Sequence, residues 1–139
     1  FGATTGRPRR TGWFDAVAVR YAIRVNGLDT IALMKMDVLD GMDSIQVCTG
    51  YRYGGELITE FPDEIDILAG CQPVYETLPG WKEPTAGIVE EAKLPANCQA
   101  YIRHLESLVG IPFTLISTGP RRDETIIRHN AVWKNWGLA

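Results

Sequence analysis

WFDAVAVRYAIRVNGLDTIALMKMD, residues 13–37, decides the fold class. Its first part, Trp13 to Asn26, is nearly all apolar apart from Arg20 and Arg24, which lie four apart on one helical face. Thr11 is placed to cap this helix, and Asp15 falls in its first turn, where a negative charge suits the helix dipole. Gly27 is the expected left-handed stop. Thr30-Ile31-Ala32-Leu33-Met34 follows as a short continuous apolar run, the pattern of a strand covered on both faces of a parallel sheet. The helix is therefore expected to be mostly buried. Lys35-Met36-Asp37 comes directly after the strand.

The same pattern recurs downstream. Asn97 to Val109 is amphipathic, with Tyr101, Leu105 and Leu108 on one face and Gly110 as a stop. Phe113 to Ile116 is a second short apolar strand, and Ser117-Thr118-Gly119-Pro120 follows it. Two helix–strand units of this kind predict an α/β fold with right-handed crossovers. Between them, Ser44–Tyr53 and Glu56–Phe61 flank Gly54-Gly55, a hairpin signal and an excursion from that sheet. Gln72–Thr77 and Thr125–Arg128 read as further strands, and residues 82–95 as loop. No internal repeat is visible, and Ala131 to Ala139 has no clear period.

Composition bounds the function classes. The chain has 139 residues, 45% of them hydrophobic and 22% charged, which suits one globular domain or a large piece of one. A net charge of -3 gives no overall basic field for nucleic acid. The acidic run from Glu56 through Glu91, including Glu60, Asp63, Glu64, Asp66, Glu76, Glu83 and Glu90, reads as a solvated face. Cys48, Cys71 and Cys98 are few, odd in number and far apart, so neither a disulfide framework nor a zinc site is expected and a reducing cytoplasm is. No apolar run approaches the ~20 residues of a membrane span. The chain opens on Phe1 beside a dense Gly-Thr-Arg segment, which suggests a piece of a longer protein.

Three polar sets stand where α/β proteins bind ligands, at strand carboxyl ends or before a helix. In Gly2-Ala3-Thr4-Thr5-Gly6-Arg7-Pro8-Arg9-Arg10, glycine admits an anion to the backbone, threonine donates to carboxylate or phosphate oxygens, and arginine offers a planar fork. Pro8 stiffens the loop. Such a loop can close on an anionic substrate, stand free in solvent, or contact nucleic acid through its arginines. Lys35-Met36-Asp37 offers a carboxylate able to accept from both N1–H and the 2-amino group of guanine, with a lysine stem to lie along the base. A plain surface ion pair is its other reading. Ser117-Thr118-Gly119 can present backbone N–H groups and a hydroxyl to a base oxygen, or simply end a strand.

Taken in order, G-x-T-T-G-R-x-R-R-x-G-W-x-D from Gly2, K-x-D-V-L-D-G from Lys35, Y-E-x-x-P-G-W from Tyr75 and S-T-G-P-x-R-x-E-T-I from Ser117 closely resemble the adenylosuccinate synthetase family. The resemblance spans about Gly2 to Ile127, within a segment 1–130 that it identifies as the C-terminal portion of that domain. Residues 131–139 form a tail that matches nothing, with Trp133 and Trp136 read as packing residues. Met34 stands where the family usually has threonine.

The resemblance implies a part of a P-loop-NTPase-like three-layer fold with a mainly parallel central sheet. It implies a GTP-dependent ligase that joins L-aspartate to IMP, with Mg2+ and the catalytic groups held upstream, in a cytoplasmic homodimer. Ala3, Thr4, Thr5, Gly6, Arg7, Pro8 and Arg9 would bind aspartate and IMP, Arg9 also reaching GTP. Lys35, Met36 and Asp37 would hold guanine, and Ser117, Thr118 and Gly119 would complete its pocket. No G-x-x-x-x-G-K phosphate loop occurs, so the segment alone is expected to be inactive. Neither nucleic acid nor a membrane is an expected partner. The alternative is a stand-alone nucleotide- or nucleic-acid-binding module working through the arginine-rich loop.

Overall fold

In the computed structural model, which describes residues 5–8, 10–128 and 137, the first helix is capped by Asp15 and not by Thr11. Trp13 precedes, and Phe14–Asp15 forms the short strand β1; α1 then runs Ala16–Asn26. Asp15 Oδ1 accepts from the Val17 and Ala18 N–H groups, both at 3.0 Å, and so satisfies two of the orphan donors of the first turn. The helix begins three residues later than the sequence suggested, because the same carboxylate that would have sat inside the first turn serves better as its cap. Gly27 ends it at φ 60°. Only Ala16 and Val17 of α1 are fully buried, and the expected mostly buried helix is half-exposed. Its two arginines act as ties: Arg20 donates to the carbonyls of Thr59 and Leu108, and Arg24 pairs with Glu60 at 2.8 Å.

Two mixed sheets replace the expected mainly parallel one. In the first, β3 (Ser44–Tyr53) pairs in parallel with β1 and antiparallel with β4 (Glu56–Ile58) and β5 (Gln72–Pro79). The second sheet orders β2 (Ile31–Leu33), β6 (Phe113–Ser117) and β7 (Thr125–Ile127), with β2 parallel to β6 and β7 antiparallel. Connection length explains the mixture. Strands joined by a short turn must run antiparallel, whereas a parallel pair needs a long crossover. Gly54 and Gly55, at φ 58° and 90°, make the tight turn between β3 and β4. The short link 118–124 does the same for β6 and β7. Leu33 and Phe113 are joined through the first sheet and a helix, so β2 and β6 can lie parallel.

Two local expectations change. β2 is not covered on both faces: Ala32 is exposed, and among the described residues the strand pairs with β6 alone. Ile65–Gly70, which carries no helical period, is the short helix α2. The acidic run is exposed as expected, except Glu91, which turns toward Arg128.

The core lies between the sheets and α3 (Ala96–Val109). Cys98, Tyr101, Ile102, Leu105 and Val109 form one face of that helix, at spacings of three and four, and all are buried. They pack with Ile45 and Val47 of β3, Phe113 and Ile116 of β6, and Met36. Each large aliphatic buried here is worth about 2 kcal/mol, and truncating Leu105 to alanine would cost about 2–5 kcal/mol through the cavity left behind. Trp81 joins this core with its ring 5.9 Å from that of Tyr101.

Candidate functional site

The chain reverses sharply after β2. Lys35 takes left-handed backbone angles, φ 64° and ψ 47°, which are costly for a residue with a Cβ. It launches a 3₁₀ turn over Met36–Leu39. Met36 is 1% exposed and anchors that turn in the core, so its side chain is unavailable to a ligand, contrary to the reading that grouped it with its neighbours as a contact. Lys35 is exposed and Asp37 half-exposed. The turn's own hydrogen bonds are long: Val38 N–H to Lys35 O and Asp40 N–H to Asp37 O are both 3.3 Å.

The β2–β6 register pairs Leu33 with Ile116. Parallel pairing thus brings the carboxyl ends of both strands to one edge, with Lys35–Asp37 beyond one and Ser117–Gly119 starting at the last residue of the other. The 3₁₀ turn packs against β6. A groove of about 530 Å3 opens at this edge, lined among others by Met34, Leu115, Ser117, Gly119, Arg121 and Ile127. Lys35 and Asp37 are not among its lining residues, although Met34 before them is.

The hydroxyls expected to face a ligand point inward. Ser117 Oγ donates to Gly119 O at 2.9 Å, and Thr118 Oγ1 donates to Ile88 O at 2.8 Å. Both side chains are buried and satisfied, which locks the segment's shape. A Cβ at Gly119 would stand 2.4 Å from Glu124 Oε2, so a side chain there would have to displace the Glu124 carboxylate. That Glu124 oxygen accepts the Arg121 N–H at 2.8 Å, closing the turn toward β7.

Thr5, Gly6, Arg7 and Pro8 of the N-terminal loop are exposed. Gly6 is at φ 63°, and the Arg7 N–H donates weakly to Thr5 Oγ1 at 3.4 Å. This loop leads into β1 of the first sheet, whereas the groove belongs to the second. Ala3, Thr4 and Arg9 lie outside the described residues, as do Trp133 and Trp136.

Sequence reasoning attached no role to Asp40, Gly80, Trp81 and Thr85, although three of them stand in the quoted motifs. Asp40 Oδ1 accepts from Trp81 Nε1 at 2.7 Å and from Thr85 Oγ1 at 2.8 Å; its Oδ2 accepts the Thr85 N–H at 2.7 Å. Gly41 N–H donates to Trp81 O, and Gly80 N–H to Asp43 O, both at 3.0 Å. The pairing of D-G with P-G-W in one chain was the available signal.

Burial and charge displace the ionisation of Cys98, Tyr101 and Arg128. Burial, and then the charge of Asp40, push the Cys98 thiol up to about 12. Burial, and then Cys98, raise Tyr101 to about 12. Burial pulls Arg128 downward, but Glu106 and Glu91 outweigh it and leave the guanidinium more firmly charged. Arg128 Nη1 donates to Glu106 Oε1 at 2.6 Å, and Nε to Glu91 Oε2 at 2.8 Å. Among the described residues no group of three or more His, Cys, Asp or Glu could hold a metal ion. No helix among them is long and apolar enough to cross a membrane.

Residues 1–126 match the family model of adenylosuccinate synthetase. The chain is 52% identical over 130 residues to the adenylosuccinate synthetase of Citrifermentans bemidjiense, covering 94% of this chain and 30% of the relative. It is 56% identical over 126 residues to that of Syntrophotalea carbinolica, covering 91% and 29%. Among solved structures, the fully ligated adenylosuccinate synthetase from Plasmodium falciparum superposes with a TM-score of 0.86 at 37% identity, over 93% of this chain and 31% of that one. The chain thus spans about 30% of the length of the curated relatives it matches.

Proposed function

The chain belongs to the adenylosuccinate synthetase family, and from that premise we propose that it supplies the guanine-recognition elements and the aspartate-binding loop of a GTP-dependent ligase. That ligase forms adenylosuccinate from IMP and L-aspartate. One observation carries the reading: the K-x-D turn follows β2 and the S-T-G segment begins at the last residue of β6, at the carboxyl ends of two adjacent parallel strands paired at Leu33 and Ile116.

Asp37 accepts from N1–H and the exocyclic amine of guanine, a pair of donors that adenine does not present. The Lys35 stem lies along the base. Ser117–Gly119 meets the base through its backbone, because its hydroxyls are already committed. Arg7 holds the aspartate carboxylate and the IMP ribose, with Ala3, Thr4, Thr5, Gly6 and Pro8 shaping the loop and Arg9 reaching GTP. In the reaction, GTP phosphorylates the 6-oxygen of IMP, and the aspartate amine then displaces phosphate. Mg2+ on this reading belongs to the remainder of a full-length synthetase. So do the phosphate loop, the larger P-loop-NTPase-like sheet and the dimer contacts of a cytoplasmic enzyme. The chain alone is therefore inactive as a ligase.

The test is Asp37→Asn in a full-length synthetase. Loss of a charge-assisted bidentate contact is worth about 1.5–3 kcal/mol, or roughly a 10- to 100-fold rise in KM for GTP. Preference should relax toward ITP and XTP, since an amide can donate to the 2-oxygen of xanthine. Unchanged guanine selectivity refutes the assignment.

A further inference from the structure

Asp40 lies three residues beyond Asp37, where the 3₁₀ turn ends. Both of its carboxylate oxygens are taken by a segment 41–45 residues away, through Trp81 Nε1, Thr85 N–H and Thr85 Oγ1. Trp81 is 2% exposed and Thr85 is fully buried, so these bonds lie shielded from water, where they are worth most. The same segment continues to Ile88. The Ile88 N–H donates to Thr85 O at 3.1 Å, and Ile88 O accepts from Thr118 Oγ1 at 2.8 Å. One stretch, Trp81–Ile88, is therefore bonded at its start to the loop carrying Lys35–Asp37 and at its end to the middle of Ser117–Gly119.

The β2–β6 ladder cannot set this spacing alone. Its last pair, Leu33 and Ile116, stops short of Lys35–Asp37 and of Thr118–Gly119. The 3₁₀ turn is also a poor ruler by itself, with a left-handed residue at its entrance and two 3.3 Å hydrogen bonds within it. A base held between two segments needs them placed to within about 0.5 Å. Met36 anchors the turn in the core and the turn packs on β6; Asp40 is the carboxylate through which a further element takes hold of its far end.

We propose that Trp81–Ile88 is a brace that fixes the separation of Asp37 from Ser117–Gly119, and that Asp40, Trp81 and Thr85 are positioning residues for guanine specificity. The inference rests on the reading of those two segments as the guanine site.

The experiment uses a full-length synthetase with single substitutions. Trp81→Phe keeps an aromatic ring against Tyr101 while removing the N–H donor together with part of the indole's volume. Thr85→Val removes the hydroxyl while keeping the backbone donor, and Thr85→Ser restores the hydroxyl. KM for GTP should rise about tenfold in Trp81→Phe and Thr85→Val, as a misplaced contact predicts. The kcat/KM preference for GTP over ITP should fall by a similar factor, because ITP lacks the amine that Asp37 reads. KM for IMP and for aspartate should stay within about twofold, and Thr85→Ser should recover most of the GTP effect. A lowered Tm with normal GTP kinetics, or an equal rise in all three KM values, overturns the brace. Asp37→Asn run alongside separates the two failures. Normal base preference in that variant removes the guanine site itself. Altered preference there, with normal GTP kinetics in the Trp81 and Thr85 variants, overturns the brace alone.

Discussion

Gly80→Ala should be among the most damaging single-methyl additions in this fold. A Cβ at that position would stand 2.2 Å from Met42 O, 2.9 Å from Met42 C and 3.1 Å from Asp43 C. The shortest of these lies about 1 Å inside ordinary contact, and all three are backbone atoms rather than the ends of flexible side chains. That backbone is pinned. Gly80 N–H donates to Asp43 O, Gly41 N–H donates to Trp81 O, and the β3–β5 ladder ends one residue away at Ser44 and Pro79. Relief therefore means spreading the ladder end and moving Trp81 out of its pocket. Losing the two hydrogen bonds costs about 1 kcal/mol each. Overpacking adds about 1–3 kcal/mol. The total of about 3–5 kcal/mol lies at the upper end for point substitutions. Urea unfolding of a full-length synthetase should show a lowered midpoint with an unchanged m value. Gly54→Ala is the control: its Cβ would meet nothing within 4 Å, and the only penalty is the left-handed φ of 58°, about 1 kcal/mol. If Gly80→Ala is no worse than Gly54→Ala, the backbone near Met42 yields easily, and close approach is not what demands glycine there.

Other outcomes follow from the same structure. Glu106→Ala should cost about 2–4 kcal/mol, because it strips both the Arg128 guanidinium and the Phe113 N–H of their carboxylate partner; a loss under about 1 kcal/mol in urea unfolding would show that Glu91 alone suffices. Stability should fall on the alkaline side as Cys98 and Tyr101 are uncovered. The Cys98 thiol ionises near 9.0 unfolded and about 12 folded, so the unfolded state holds fewer protons in that window. Each such group removes up to about 1.4 kcal/mol per pH unit there, a contribution fully present below 9.0. Cys98→Ala should flatten the slope, and Cys98 should resist alkylation at neutral pH until the protein unfolds; labelling at the rate of a free thiol contradicts its burial. Arg7→Leu should raise KM for aspartate roughly 10- to 100-fold, as loss of a charge-assisted contact predicts, with KM for GTP little changed. Normal aspartate kinetics would remove the loop's assigned role.

Local chemistry was readable wherever it acts within a few residues. Gly27 and Gly110 stop their helices in left-handed geometry, and Gly54-Gly55 turns the hairpin, because glycine alone meets those angles without steric cost. β3 runs over Ser44–Tyr53 as the pattern indicated, and one face of α3 is buried at helical spacing. Lys35–Asp37 and Ser117–Gly119 were nameable through motif order, and both stand at the carboxyl ends of strands. What could not be read was direction and company. Whether Met36 faces the core or a base, whether the Thr118 hydroxyl donates to a ligand or to Ile88, and whether Thr11 or Asp15 caps α1 depend on which groups lie nearby once the chain is packed. Lys35–Asp37 and Ser117–Gly119, about eighty residues apart in the chain, become neighbours through the parallel register of β2 and β6. Asp40 meets its donors on Trp81 and Thr85 where the β3–β5 ladder ends, at Ser44 and Pro79. Periodicity and turn chemistry act over one to five residues, whereas these contacts are made by sheets closing over a shared core, and that closure is where the tertiary structure decided the site.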